Sequence, residues 1–536
     1  MRFEWAMGNG KWKFTAAALI GLLLGISTPG GPEDLVVQTK SGKVRGVARS
    51  SGGAEFLGIP YAQAPIGKLR WHEPLPVASW EGIRDAGAFG APCAQPVLGD
   101  WNQKDAEASK EDCLFLNVMT PIWPAKSKLA VMVWLHGGGN EGGTASSELY
   151  KDGTLVQHGV VLVTVNYRLG VFGFLAHPEL TRESRHHASG NWGLMDQIAA
   201  LRWVRENIAV FGGDPDDVTV FGQSAGAFDA SYLMTSPLAK GLFQKAILES
   251  GAATNANMPT LAMAEQGGER LAAALKVRAG NGALRRLREL SPAELMAVRP
   301  QQDKGEPPFV GPCIDGWVLP QLPARVFAAG EEMAIPMMAG STTREFGSEA
   351  GPEELRKMME RAAGPLAPKV LAAYGLADGG KGVNDPLYGP VGNQWIADLI
   401  FRCPVATQVE WHQAKYPAFE YQFEHAIPGQ EAQGAVHSSD LPYVFGFYPK
   451  SGNISGKFRE VDFRLADLME KYWTNFAKKG NPNAEGLPAW PAYGAGREYI
   501  EFTQEGNVVA KKGGLRPAQC ELYREMLEAR LNGTQP

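Results

Sequence analysis

The apolar residues of this chain fall in short runs rather than long ones. Leu35–Thr39 (LVVQT), Ala130–Leu135 (AVMVWL), Val160–Tyr167 (VVLVTVNY) and Val218–Gly222 (VTVFG) are rich in β-branched residues and of strand length, which predicts buried strands. Between the last two, Met195–Phe211 sets Ile198, Leu201, Val204 and Ile208 on one face at helical spacing. Strand, helix and strand make a right-handed crossover unit, so the pattern predicts a mostly parallel sheet covered by helices, an α/β architecture. Ala/Leu/Arg-rich helical patterns over 261–299 and 352–373 read as insertions that cap the sheet. Asp462–Gly480 opens on an Asp suited to capping and closes on Lys478, Lys479 and Gly480, which predicts a long helix with a defined stop. With no internal repeat and no Gly/Ser-rich linker, one domain over 32–536 is the simplest organisation.

Composition narrows the partners. The formal net charge of -5 is spread over 536 residues without an acidic or basic block, which gives no electrostatic reason to expect nucleic acid and favours a small-molecule substrate. At the N-terminus, Arg2, Lys11 and Lys13 precede an apolar stretch, Thr15–Ile26, and a Ser-Thr-Pro-Gly-Gly breaker. Residues 1–31 therefore read as an export signal, and the mature chain is expected to be secreted or periplasmic. The apolar stretch is short for a bilayer and no later segment offers about 20 continuous apolar residues, so no stable membrane insertion is expected. The five cysteines lack the clustered spacing of a zinc or iron–sulfur site, and neither metal nor organic cofactor is expected. Buried apolar thiols and disulfides are both open to them at this point.

Candidate chemistry begins at Gly222-Gln223-Ser224-Ala225-Gly226, directly after a predicted strand and before a helix-capable segment. A serine on such a turn is held in an unfavourable backbone conformation and needs small neighbours, which Gly222 and Gly226 provide. Upstream, the strand ending at Leu135 runs into His136-Gly137-Gly138-Gly139, where unobstructed N–H groups of Gly138 and Gly139, with that of Ala225, would form an oxyanion hole. A serine hydroxyl needs a histidine to take its proton, and three follow Ser224: His412, His425 and His437. His412 and His425 lie in or beside a helix-to-strand stretch, whereas His437 sits in a loop of small residues, GAVHSSD, which makes it the best general base. Spacing does not single out the orienting acid. Glu345, after the apolar run Ile335–Gly340, is a reasonable candidate and Asp315 a weaker one.

The same blocks resemble the type-B carboxylesterase and cholinesterase family, over about Val36 to Leu527. Besides the Ser and Gly motifs they include Phe56-Leu57-Gly58-Ile59-Pro60-Tyr61-Ala62, Glu111-Asp112-Cys113-Leu114-Phe115-Leu116-Asn117, Asn166-Tyr167-Arg168-Leu169-Gly170 and Phe211-Gly212-Gly213-Asp214-Pro215. The resemblance implies an α/β-hydrolase fold and hydrolysis of a carboxylic ester, with Ser224, Glu345 and His437 as the triad and Ser250 and Asp440 as a further hydrogen-bonding layer around His437. It also implies disulfides Cys93–Cys113 and Cys403–Cys520, leaving Cys313 as a buried spectator. The sequence departs from cholinesterases at Gln223, where they have Glu, and at Asn140, where they have an aromatic, so choline recognition is not implied. Asn140 and Glu141 beside the Gly run are expected to meet a polar acyl group. Trp101, inside the Cys93–Cys113 loop, is expected to be an ordinary pocket or surface aromatic. Two other functions share the fold: acyl transfer to an alcohol, and a catalytically inactive adhesion module, against which the joint presence of Ser224, Glu345, His437 and the Gly run argues.

Overall fold

The computed structural model describes residues 35–125, 128–255, 258–278, 280, 282–298 and 310–533. The expected export signal, 1–31, lies outside them. The described strands are β1 (Val36–Gln38), β2 (Lys43–Arg45), β3 (Val47–Ala48), β4 (Ala54–Pro60), β5 (Ile83–Asp85), β6 (Phe115–Thr120), β7 (Leu129–Leu135), β8 (Val161–Val165), β9 (Gly213–Gln223), β10 (Lys245–Glu249), β11 (Met337–Thr342), β12 (Ala418–Phe423), β13 (Tyr499–Phe502) and β14 (Val508–Lys511). Eleven of them form one sheet in the order β14-β13-β12-β11-β10-β9-β7-β8-β6-β4-β3. From β8 through β13 neighbours are parallel, and the strands outside that block pair antiparallel. The sheet is thus the mostly parallel one that the apolar runs predict, with antiparallel margins.

The parallel block reads as continuous apolar sequence because both faces are covered. In β7, Val131, Val133 and Leu135 join the core on one face while Ala130, Met132 and Trp134 join the core on the other. At about 25 cal/mol per Å², each fully buried Val or Leu side chain here contributes roughly 1.5–3 kcal/mol. Helix Trp192–Asn207 follows β8 and precedes β9, as the periodicity predicts, but the crossover skips a strand: β7 lies between the two and pairs with both. Leu35–Thr39 is not a strand of this sheet. Its three-residue β1 pairs with β2 in a small separate sheet with β5.

The helical insertions appear as Leu261–Ala274, Ala283–Glu289 and Pro292–Met296, and as Pro352–Ala363 and Ala367–Ala373. The late helix runs Glu460–Lys479 and stops at Gly480, whose φ of 67° only glycine adopts without strain. Asp462 does not precede this helix. It sits one turn inside, where its carboxylate accepts the Arg459 N–H at 2.7 Å and so still caps the helix start. Disulfides join Cys93 to Cys113 and Cys403 to Cys520, while Cys313 is buried and unpaired. No helix among the described residues is long and apolar enough to cross a membrane.

Candidate active site

The site gathers at the carboxyl ends of the parallel strands, where loops leave a shared edge. β9 ends at Gln223 and helix Ala225–Leu233 starts at Ala225, so Ser224 alone makes the turn, at φ 55° and ψ −125°. That conformation is costly for any residue with a side chain and persists because packing fixes it on both sides. A Cβ on Gly226 would lie 1.9 Å from the Leu135 carbonyl oxygen, and one on Gly222 would lie 2.6 Å from the Gly226 carbonyl carbon. Both glycines are therefore required by contact, as the motif suggests. Ser224 is half-buried amid fully buried neighbours, which leaves its hydroxyl reachable.

Two loops bring Glu345 and His437 together. Arg344 pairs in parallel with Val436, and the Arg344 N–H donates to the Ala435 carbonyl at 2.8 Å, which clips the Glu345 loop to the His437 loop. The Arg344 guanidinium donates to the carbonyls of Leu387, Pro386 and Ala432, bracing that junction. His437 Nδ1 then lies 2.5 Å from Glu345 Oε2. The other carboxylate oxygen accepts the Ser250 hydroxyl at 2.6 Å and the Thr342 N–H at 2.8 Å. Burial by itself would push Glu345 up, but the facing His437 and these three hydrogen bonds outweigh it and hold the carboxyl below its ordinary value. An ionised Glu345 needs a proton at Nδ1, so Nε2 of His437 carries the lone pair.

That lone pair meets the end of β9. The Gln223 side-chain amide donates to His437 Nε2 at 3.1 Å, which brings the ring against the residue next to Ser224. Phe346 and Phe401 flank the ring at centroid distances of 4.2 and 4.9 Å, and Phe346 remains half exposed at the rim. The other two histidines have structural partners on both nitrogens. His412 meets Glu332 and the Ile335 carbonyl, each at 2.8 Å, and His425 meets Asp462 at 2.7 Å and the Thr503 carbonyl at 3.3 Å. Asp315 accepts the Trp317 and Leu319 N–H groups and closes a local turn.

The Gly run meets the same point from the end of β7. A Cβ on Gly137 would lie 2.8 Å from the Gln223 carbonyl oxygen and 3.1 Å from the Ser224 Cβ, so this loop packs directly on the Ser224 turn. Gly138 and Gly139 have φ of 112° and 67°, and among the described residues neither N–H, nor that of Ala225, meets a protein acceptor. His136, which opens the run, stacks on Tyr167 at 4.4 Å, and burial pushes it down to about 4, so it stays neutral.

The remaining expected residues fall close by, with different contacts from those their sequence positions suggest. Ser250 touches Glu345, not the His437 ring. Asp440 is fully buried, with Tyr421 OH 3.4 Å from one oxygen, and lies near Glu249, which accepts Trp473 Nε1 at 2.7 Å. Burial first, and then an acidic neighbour, push each of these two carboxyls up. Trp101 is half exposed and lies over Gly138. Glu141 lines an otherwise apolar cleft with Leu169, Phe172, Leu271, Leu295 and Val298. Asn140 is buried, its amide donating to Asp229 at 2.9 Å. Asp229 and Phe346 carry no sequence signal of their own, although a lone carboxylate in the apolar helix AGAFDASYL is a visible irregularity.

Known proteins match most of the chain. The profile of the family described as the carboxylesterase family matches residues 33–361 and 388–523. Relatives include a medium-chain fatty acyl-CoA hydrolase precursor of Anas platyrhynchos, 35% identical over 95% of both chains. The fumonisin B1 esterase of Sphingopyxis macrogoltabida is 34% identical over 90% of this chain and 88% of its own, and the para-nitrobenzyl esterase of Bacillus subtilis (strain 168) is 37% identical over 85% and 92%. Among solved structures, a thermophilic PNB esterase superposes with a TM-score of 0.79 at 33% identity, covering 91% of this chain and 100% of that one. The chain belongs to the carboxylesterase family, as a carboxylic-ester hydrolase of the α/β-hydrolase fold.

Proposed function

We propose that ester cleavage proceeds through a covalent acyl-enzyme on Ser224, with His437 as the base and Glu345 as its orienting acid. The observation that supports this reading best is the line of contacts from Glu345 through Nδ1 and Nε2 of His437 to Gln223, the residue before Ser224. In acylation, His437 Nε2 takes the hydroxyl proton as Ser224 Oγ attacks the ester carbonyl, and the N–H groups of Gly138, Gly139 and Ala225 receive the developing oxyanion. The tetrahedral adduct collapses as His437 returns the proton to the leaving alkoxide, releasing the alcohol. Water then attacks the acyl-serine with His437 again taking and returning one proton, and the carboxylic acid leaves. The apolar lining of the cleft beside Glu141 favours an ester with an apolar substituent on that side.

Export is part of the same reading. Two disulfides persist best in an oxidising compartment, which fits a secreted or periplasmic enzyme. The test is labelling by a fluorophosphonate probe alongside turnover of p-nitrophenyl esters. Wild type should label on a peptide containing Ser224, Ser224→Ala should neither label nor turn over, and His437→Ala should lose turnover. Persistent turnover in Ser224→Ala would overturn the assignment.

A further inference from the structure

The two halves of the proposed oxyanion hole come from separate pieces of chain. Gly138 and Gly139 belong to the loop after β7, while Ala225 opens the helix after Ser224. Three donors stabilise one oxygen only if all point at it from about 2.7–3.1 Å, so the loop and the helix must be held in fixed register. Within the loop the Gly138 carbonyl accepts the Glu141 and Gly142 N–H groups at 3.1 and 3.0 Å, bonds that shape the turn without tying it to the helix. Gly139 has open space around it, and both glycines occupy positive φ.

One side-chain hydrogen bond joins residues 136–143 to helix Ala225–Leu233 among the described residues, that from Asn140 Nδ2 to Asp229 Oδ1 at 2.9 Å. Asp229 is fully buried, and its second oxygen accepts Gln197 Nε2 at 2.6 Å from helix Trp192–Asn207. Asn140 itself has φ 59°, and its carbonyl accepts the Gly170 N–H at 2.6 Å, so both ends of the residue are fastened. We propose that Asn140 and Asp229 form a clamp that sets the register of the Gly run against the nucleophile helix, making Asn140 a positioning residue for the oxyanion hole rather than a contact of the acyl group. The bond is charge-assisted and shielded from water, the setting in which such bonds are strongest. Burial pushes Asp229 up to about 7, so above that pH it is an anion that only the N–H end of the Asn140 amide can meet.

The inference rests on Ser224 being the nucleophile, and its test separates the two. At pH 8, Asn140→Asp sets two carboxylates face to face. The double variant N140D/D229N restores a donor and an acceptor with the roles exchanged, since the amide now at position 229 would donate to the carboxylate now at position 140 while its oxygen accepts from Gln197. Turnover of p-nitrophenyl butyrate and inhibition by an aryl trifluoromethyl ketone, whose adduct with serine carries the oxyanion, are measured with thermal unfolding. Asn140→Asp should lose roughly tenfold or more in kcat, with KM changed less than about threefold and inhibitor affinity falling in parallel, because losing one oxyanion donor outright costs about 10²–10³. The double variant should regain most of both. Wild-type kcat and inhibitor affinity in a folded Asn140→Asp, or a folded double variant with no recovery, would overturn the clamp. An active Ser224→Ala control would overturn the nucleophile assignment instead.

Discussion

Replacing Glu345 by Gln tests the triad at its most determined point. The two carboxylate oxygens serve three donors: His437 Nδ1–H on one, the Ser250 hydroxyl and the Thr342 N–H on the other. A carboxamide has one oxygen, which has to stay with Ser250 and Thr342 because a main-chain N–H cannot turn acceptor. Its NH₂ then faces Nδ1 and favours the tautomer with a lone pair there and the proton on Nε2, which is unable to accept from serine. Forcing the productive tautomer would set N–H against N–H in a buried site, at about 1–3 kcal/mol. Losing the charge that faces the imidazolium adds about 4 kcal/mol at an effective dielectric of 20 and 4 Å. Together these predict a fall in kcat of about 10⁴, with KM little changed, in line with the about 10⁴ seen when a triad carboxylate becomes an amide in serine proteases. Steady-state turnover of a p-nitrophenyl ester reads this directly, and a kcat within threefold of wild type would refute the reasoning. Stability supplies a second check. The lowered carboxyl of Glu345 contributes stability that is present above the ordinary glutamate value of about 4.3 and lost as pH falls through its own lower value, so any wild-type advantage in Tm should shrink in that acid range.

Gly226→Ala brings a methyl to 1.9 Å from the Leu135 carbonyl oxygen, so it should displace the Gly run and abolish turnover while lowering Tm; an active variant of unchanged Tm would show that the turn yields easily. The Cys403–Cys520 disulfide spans 117 residues, so Cys403→Ser/Cys520→Ser should cost up to about 5 kcal/mol of unfolding free energy in denaturant titration, against about 3 for Cys93–Cys113, which spans 20. Equal losses would refute the loop-length argument. Glu420 is fully buried in β12 with no hydrogen-bond donor among the described residues, and burial first, then Glu410, push it up to about 8. Its proton contributes stability that is lost as pH rises from about 4.3 to about 8, so Glu420→Gln should gain on wild type across that window, by on the order of 4 kcal/mol; a difference in Tm that is flat with pH would overturn this.

What the sequence reveals and what it hides divide along the distance over which each residue is determined. The strands of the parallel block are legible because both faces are buried, which writes apolar runs into the chain, and the Ser224 turn is legible because contact at 1.9–2.7 Å leaves room only for glycine at 222 and 226. His437 is recognisable from its loop of small residues, but Glu345 is not separable from other carboxylates by spacing, because its position is fixed by a clip between Arg344 and Ala435, far apart in sequence, that no local pattern encodes. The β8 to β9 crossover is legible as a unit, whereas the insertion of β7 between them is a property of the sheet order. Asn140 shows the limit most clearly. Beside the Gly run a polar side chain reads as a substrate contact, whereas in the fold its amide meets a partner 89 residues away on the helix that follows Ser224. A buried N–H donor needs an acceptor, and here the one carboxylate in an otherwise uncharged helix supplies it. The two irregularities, an Asn after three glycines and an Asp within AGAFDASYL, explain each other only once the fold brings them together.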